Sequence, residues 1–140
     1  MNSILRISDA ASLALHTMCV LASKKEAQTS TQEIADLLSA SAAHLSKVLQ
    51  RLTKAGFVRA SRGPGGGFLL TKRPDQISLL QVYEAIDGPL RPAKCLLNKQ
   101  ACNGECILGE LQHSVGNRLR GYLAEKTLAD LAASFSKKGV

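Results

Sequence analysis

Three cysteines crowd the stretch KCLLNKQACNGEC, at Cys95, Cys102 and Cys106, with gaps of six and then three residues. Three thiols within so short and irregular a stretch are hard to explain as packing. Thiolates placed this way can bind zinc, hold an iron–sulfur cluster or oxidise one another. Structural zinc takes four protein ligands and prefers tighter pairs than a six-residue gap. A cluster with three local thiolates and one remote ligand fits equally well on chemistry. Lys94 and Lys99 would offset part of the negative charge of such a site and help keep the thiols ionised. The fourth cysteine, Cys19, lies between Met18 and Val20 in an apolar helical segment and reads as a buried structural thiol.

The second stretch with chemical potential is RASRGPGGGFLL, Arg59–Leu70. A phosphate-binding P-loop would need a Lys-Ser/Thr pair and a helix after the glycines, and neither follows. The glycines instead suit the tip of a β-ribbon, where positive φ and close backbone approach are required. No Ser/His/Asp set or carboxylate pair suggests catalysis, so an enzyme is not expected. The N-terminus has no signal-peptide core and no apolar run reaches membrane-spanning length, which points to a cytoplasmic protein with no membrane partner. A reducing compartment turns the cysteines toward metal or redox chemistry rather than disulfides.

Charge supplies the partner. The 140 residues carry a net charge of +7, and no acidic residue occurs between Asp36 and Asp75. That interval holds Lys47, Arg51, Lys54, Arg59, Arg62, Lys72 and Arg73, which account for the whole excess. Charge concentrated in this way is the footprint of a polyanion partner. With three Phe, two Tyr and no Trp, single-strand binding by base stacking is disfavoured. An iron–sulfur electron carrier, the rival reading from another class, would leave the basic interval unexplained.

The surrounding elements give these residues a frame. Apolar periodicity predicts a helix over Ser8–Ala22. Ser30 and Glu33 form a capping-box pattern at the start of a short second helix. Ser41 can cap a third helix carrying the stripe Leu45, Val48, Leu49 and Leu52, stopped by Gly56. Two short helices, the second polar on its outer face, make a helix-turn-helix. Lys47, Gln50 and Arg51 have the length to reach base edges or phosphates, and Lys54 and Arg59 extend the phosphate-contacting set. Strands over Phe57–Ser61 and Phe68–Thr71 would form a wing, with Arg62 beside the Gly65–Gly66 tip. A helix over Ser78–Asp87, a long helix from Ile107 to about Lys126 and a short one capped by Thr127 complete the chain. Gly109, Gly116 and Gly121 weaken the long helix, which therefore needs a partner surface. The fold class is mainly α with a small β-wing. Its parts are a winged helix-turn-helix domain over 1–90, a cysteine-rich loop over 91–106, and a dimerisation helix with a C-terminal helix and tail over 107–140.

The sequence resembles the Rrf family of bacterial winged-helix transcription regulators, which includes iron–sulfur and nitric-oxide sensors. The residues that carry the resemblance are RGPGGGFLL at Arg62–Leu70, HLSKVLQRLTKAGFV at His44–Val58, the three-cysteine loop before a long helix, and YLAEKTLADL at Tyr122–Leu131. The resemblance implies a homodimer on near-palindromic, double-stranded promoter DNA. It places Ser41, Ala43, His44 and Lys47 at the bases and Arg62 in the wing. It also implies an iron–sulfur cluster, [2Fe–2S] or [4Fe–4S], held by Cys95, Cys102 and Cys106 with a ligand from the partner's first helix. Two departures bear on that ligand. The cysteine spacing differs from the five-and-five pattern of familiar members, and Gly109 stands where some members have a histidine three residues after the last cysteine. A first-helix carboxylate used by others falls on Ser12, whereas a first-helix histidine used by still others matches His16. His16 is thus the first candidate, Asp9 the second and His113 the third. Without a cluster, the same cysteines would act as a thiol switch or zinc site.

Overall fold

Side chains supplied by the sequence start four of the helices. Ser8 Oγ accepts from Ala11 N at 3.0 Å, Ser30 Oγ from Glu33 N at 3.2 Å, Ser41 Oγ from His44 N at 3.3 Å and Ser78 Oγ from Gln81 N at 3.1 Å. Each satisfies an N–H that the first helical turn leaves without a backbone partner. A computed structural model describes residues 7–97 and 101–136. The helices so started are α1 (Asp9–Ser23), α2 (Thr31–Leu38), α3 (Ala42–Lys54) and α4 (Leu79–Asp87). The expected Ser30–Glu33 box forms its Ser30 half, whereas the complete reciprocal box forms at Ser78 and Gln81. The long helix α5 spans Ile107–Glu125 and α6 spans Leu128–Ser136.

Strands β1 (Val58–Ser61) and β2 (Gly67–Leu70) pair antiparallel, with Arg59 opposite Leu69 and Ser61 opposite Gly67. Each is one residue displaced from the sequence expectation at one or both ends, because the ladder is set by the turn. Gly63 (φ +102°) and Gly65 (φ +74°) occupy the left-handed region that permits so tight a tip. A bridge between Thr29 and Phe68 then fastens the ribbon to the segment before α2. Helices α1 to α4 with this ribbon form a winged helix-turn-helix.

The core lies between α1, α3, α4 and α6. Leu45, Val48, Leu49 and Leu52 are all buried, as the stripe on α3 requires, and they meet Met18, Leu21 and Ile34 in one apolar cluster. The C-terminal helix is part of this core: Leu128 is fully buried, and α6 packs on α1. Backbone pairing holds it there, with Leu79 N donating to Lys126 O at 2.9 Å and Leu128 N to Ile77 O at 2.8 Å. Thr127 caps α6 as expected, and Asp130 returns the bond by accepting from Thr127 N at 2.9 Å. Those bonds hold the Asp130 carboxyl below its usual range.

Helix α5 receives its partner surface from the chain itself. A Cβ at Gly109 would overlap the Lys94 carbonyl oxygen, and one at Gly116 would come within 2.9 Å of Pro92 Cβ. The segment leading into the cysteine loop therefore lies in a groove that only glycine leaves open.

Candidate nucleic-acid interface and cysteine site

Helix α3 turns its apolar stripe inward and leaves Ala42, Ala43, His44, Lys47, Gln50 and Lys54 exposed on the other side. Ser41 holds the N-cap, so its hydroxyl is engaged by His44 N. Arg59 and Arg62 are exposed on β1 and just beyond it, beside Gly65 and the half-buried Gly66 at the wing turn. Three members of the basic interval are otherwise employed, among them Lys72, whose ammonium lies 6.0 Å over the Phe57 ring. Arg73 pairs with Asp75 at 2.6 Å, and this bond raises the arginine and lowers the carboxyl from their ordinary values. Arg51, expected among the groups that reach phosphate, sends its guanidinium to the Ile86 carbonyl at the end of α4. The net result is a set of cations on one helix and its wing, with an exposed helix start narrow enough to enter a groove.

The cysteine loop is open to solvent. Cys102 and Cys106 are exposed, Cys95 is half-buried, and Cys95 Sγ accepts from Leu97 N at 3.4 Å. Lys99 lies outside the described residues. Among the described residues no group of three or more His, Cys, Asp or Glu side chains gathers closely enough to hold a metal ion. The donor chemistry is nevertheless present at the start of α5. Cys106 is the N-cap of that helix and makes no side-chain capping bond. It shares a cleft of about 420 Å³ with Lys94, Glu105, Glu110 and His113. The Nδ1 atom of His113 is buried with no hydrogen-bond partner among the described residues. An unpartnered imidazole nitrogen and a thiol lining one cleft are donor types that a soft or borderline metal accepts.

The other two candidates sit elsewhere. His16 is exposed, with Nδ1 2.7 Å from Ser12 O and its ring edge-on to Phe135 at 6.2 Å. Together with Asp9 it lines a cleft against Ser39, Ser41 and His44, beside the helix-turn-helix and with no loop cysteine. Within one chain His113, and neither His16 nor Asp9, shares a cleft with a loop cysteine, Cys106. The spacing that could have singled out His113 is its place seven residues after Cys106, two helical turns along one face. Gly109 cannot be replaced by histidine in this arrangement, because the Lys94 backbone fills the space.

Cys19 is buried, and desolvation pushes its thiol up to about 11. Iodoacetamide near pH 8 should therefore alkylate Cys106 readily while leaving Cys19 unmodified until the protein unfolds. Mass spectrometry showing equal labelling of the two in native protein would contradict that burial.

A family model described as Rrf2, iron-dependent transcriptional regulator, matches residues 7–134. The chain belongs to the Rrf2 family. An IscR regulator of Cronobacter sakazakii is 35% identical over 101 residues, covering 71% of the Rrf2 chain and 62% of the relative. The chain thus spans less than two thirds of that relative's length. CymR (YrzC), described as the global cysteine regulator of B. subtilis, superposes with a TM-score of 0.80 at 30% identity, covering 94% of this chain and 98% of the other. The T. potens IscR structure matches with a TM-score of 0.77 at 22% identity, over 98% and 93% of the two chains, and supports the fold. These relatives are transcription regulators, not enzymes. No helix among the described residues is long and apolar enough to cross a membrane.

Proposed function

We propose that the protein is a homodimeric regulator of promoter DNA whose operator affinity is set by the state of the cysteine loop, with an iron–sulfur cluster as the loop's ligand. The observation that carries the reading is the pairing of an exposed cationic helix and wing with a thiol-rich loop seated on a helix of the same chain. Ala43, His44, Lys47 and Gln50 face the bases. Lys54 and Arg59 contact phosphate, and Arg62 with Gly65 and Gly66 sits over the adjacent groove. The exposed apolar residues Leu108, Leu111, Val115 and Tyr122 form one stripe along α5, which suits an isologous contact with a second copy.

Cys95, Cys102 and Cys106 would hold the cluster, with His113, which lines the Cys106 cleft, as a nitrogen donor and His16 or Asp9 as donors reached across a dimer. When bound, a cluster supplies a site that oxidants or nitric oxide can alter, so its condition can bias DNA binding. The chain's own part is to fix the loop's two limbs: Lys94 on Gly109, and Cys106 at the start of α5. A second reading, a thiol switch without metal, is favoured by the open arrangement of the three cysteines.

Anaerobic purification with iron and acid-labile sulfide analysis separates them. We expect both elements in the wild-type protein and their loss in C95S/C102S/C106S, with altered promoter affinity. H113A should lose or shift the cluster absorbance, whereas H16A should do so only if the ligand crosses the dimer. Colourless wild-type protein whose DNA affinity still responds to diamide would establish the thiol switch instead.

A further inference from the structure

We infer that the last turn of α4 is the link between the cysteine loop and α3, the recognition helix of the helix-turn-helix, and that Glu84 is the positioning residue that joins the segment leading into the loop to it. The inference rests on the proposed gating of DNA affinity by the loop and names the elements through which gating passes.

Three contacts converge on the single helical turn Glu84–Asp87. From the recognition helix, Arg51 donates to the Ile86 carbonyl. That carbonyl is one of the four that an α-helix leaves without an internal partner, and a cation is favoured at this end of a helix. From the start of α1, Ser8 Oγ donates to Asp87 Oδ1 at 2.6 Å. From the chain leaving α4, Leu90 N donates to Glu84 Oε2 at 2.8 Å. Beyond Leu90 the irregular chain lies on α5, with Pro92 against Gly116 and the Lys94 carbonyl against Gly109. Cys95 is the next residue.

The route from thiol to DNA is thus short and made of packed or hydrogen-bonded steps. A change at Cys95 that lifts Lys94 from Gly109 pulls on Leu90, and Leu90 is tied to α4 through Glu84. Helix α4 cannot yield without disturbing Arg51, because the Ile86 carbonyl is what Arg51 holds. Arg51 lies one turn beyond Lys47 on the same helix, so its displacement reaches the DNA-contacting residues directly. Spatial continuity alone does not establish coupling, so the test must measure an energy that depends on the loop's state.

The full-length protein is assayed on a duplex that it selects from a randomised pool, before and after blocking the loop thiols with N-ethylmaleimide. We expect wild-type affinity to change by roughly 5- to 150-fold, the usual range for coupled sites. E84A should bind the duplex like wild type when the loop is unmodified, yet respond to thiol blocking by less than about twofold. E84Q keeps an acceptor oxygen and should restore the wild-type response. An E84A response equal to wild type would overturn the inference. A wild-type protein with no response would overturn the gating of DNA affinity by the loop, a separate failure. Amide exchange at Leu90 gives a reading that needs no variant: its protection should fall when the loop is blocked, and unchanged protection would also overturn the link.

Discussion

L111D/V115D is expected to be a monomer that binds a two-fold promoter site about a hundredfold or more weakly than the wild-type protein. The two side chains are 60% and 46% exposed in the isolated chain, so aspartate there costs little in folding and the helical circular dichroism should be retained. They belong to one line with Leu108 and Tyr122, at three-, four- and seven-residue steps along α5, on a face turned away from Gly109, Gly116 and Leu123. Burying that line against its own copy removes apolar area from water on both protomers, and a charge at its centre reverses the balance. The large effect on DNA follows from linkage of two half-sites. A joined second module binds at an effective concentration near the millimolar range and multiplies affinity by about 10² to 10⁴ without any new contact. Light scattering gives the mass and DNA titration gives the affinity. A double variant that keeps the wild-type mass would place the dimer contact elsewhere.

Most of the frame was legible because short-range rules decide it. Ser30, Ser41 and Thr127 cap the helices they precede, and the periodic stripe on α3 is buried without exception. The glycines of the wing were legible for the same reason: positive φ is a property of one residue. Three features were not readable, and each depends on a meeting between distant parts of the chain. Gly109 and Gly116 weaken a helix in isolation, and only the irregular segment at Pro92–Lys94 shows what they admit. Arg51 carries the same charge and reach as Lys47, but the neighbouring helix offers it an unpaired carbonyl. Helix α6 reads as an appendage, yet a two-residue backbone pairing with Ile77–Leu79 draws Leu128 into the core. At the cysteine site the donor types were evident from spacing. That His113 shares a cleft with Cys106, and His16 and Asp9 do not, depends on which helix faces meet.

K47A and R62A are each expected to lose DNA affinity, but in different ways. Lys47 is exposed on α3, and on the proposed reading its long cationic side chain reaches base edges. Its removal should cost about 1–3 kcal/mol on the preferred duplex, roughly 5- to 150-fold, and much less on unrelated sequences. Arg62 is exposed at the wing, and on the proposed reading it meets the DNA backbone or senses groove width. Its removal should weaken binding to all duplexes more evenly and reduce the salt slope by about 0.9 if it neutralises one phosphate. Neither side chain has an internal use that would absorb the loss, since among the described residues the ion pair of the basic interval belongs to Arg73 and Asp75. With no acidic residue between Asp36 and Asp75, no carboxylate from that interval competes with phosphate for these cations. The double variant should therefore lose close to the sum of the two effects, because the helix and wing contact separate parts of the duplex. Fluorescence anisotropy on preferred and scrambled duplexes at two salt concentrations resolves both patterns. Equal losses for K47A on the two duplexes would move sequence reading away from this face of α3, toward the helix start at Ala43 and His44.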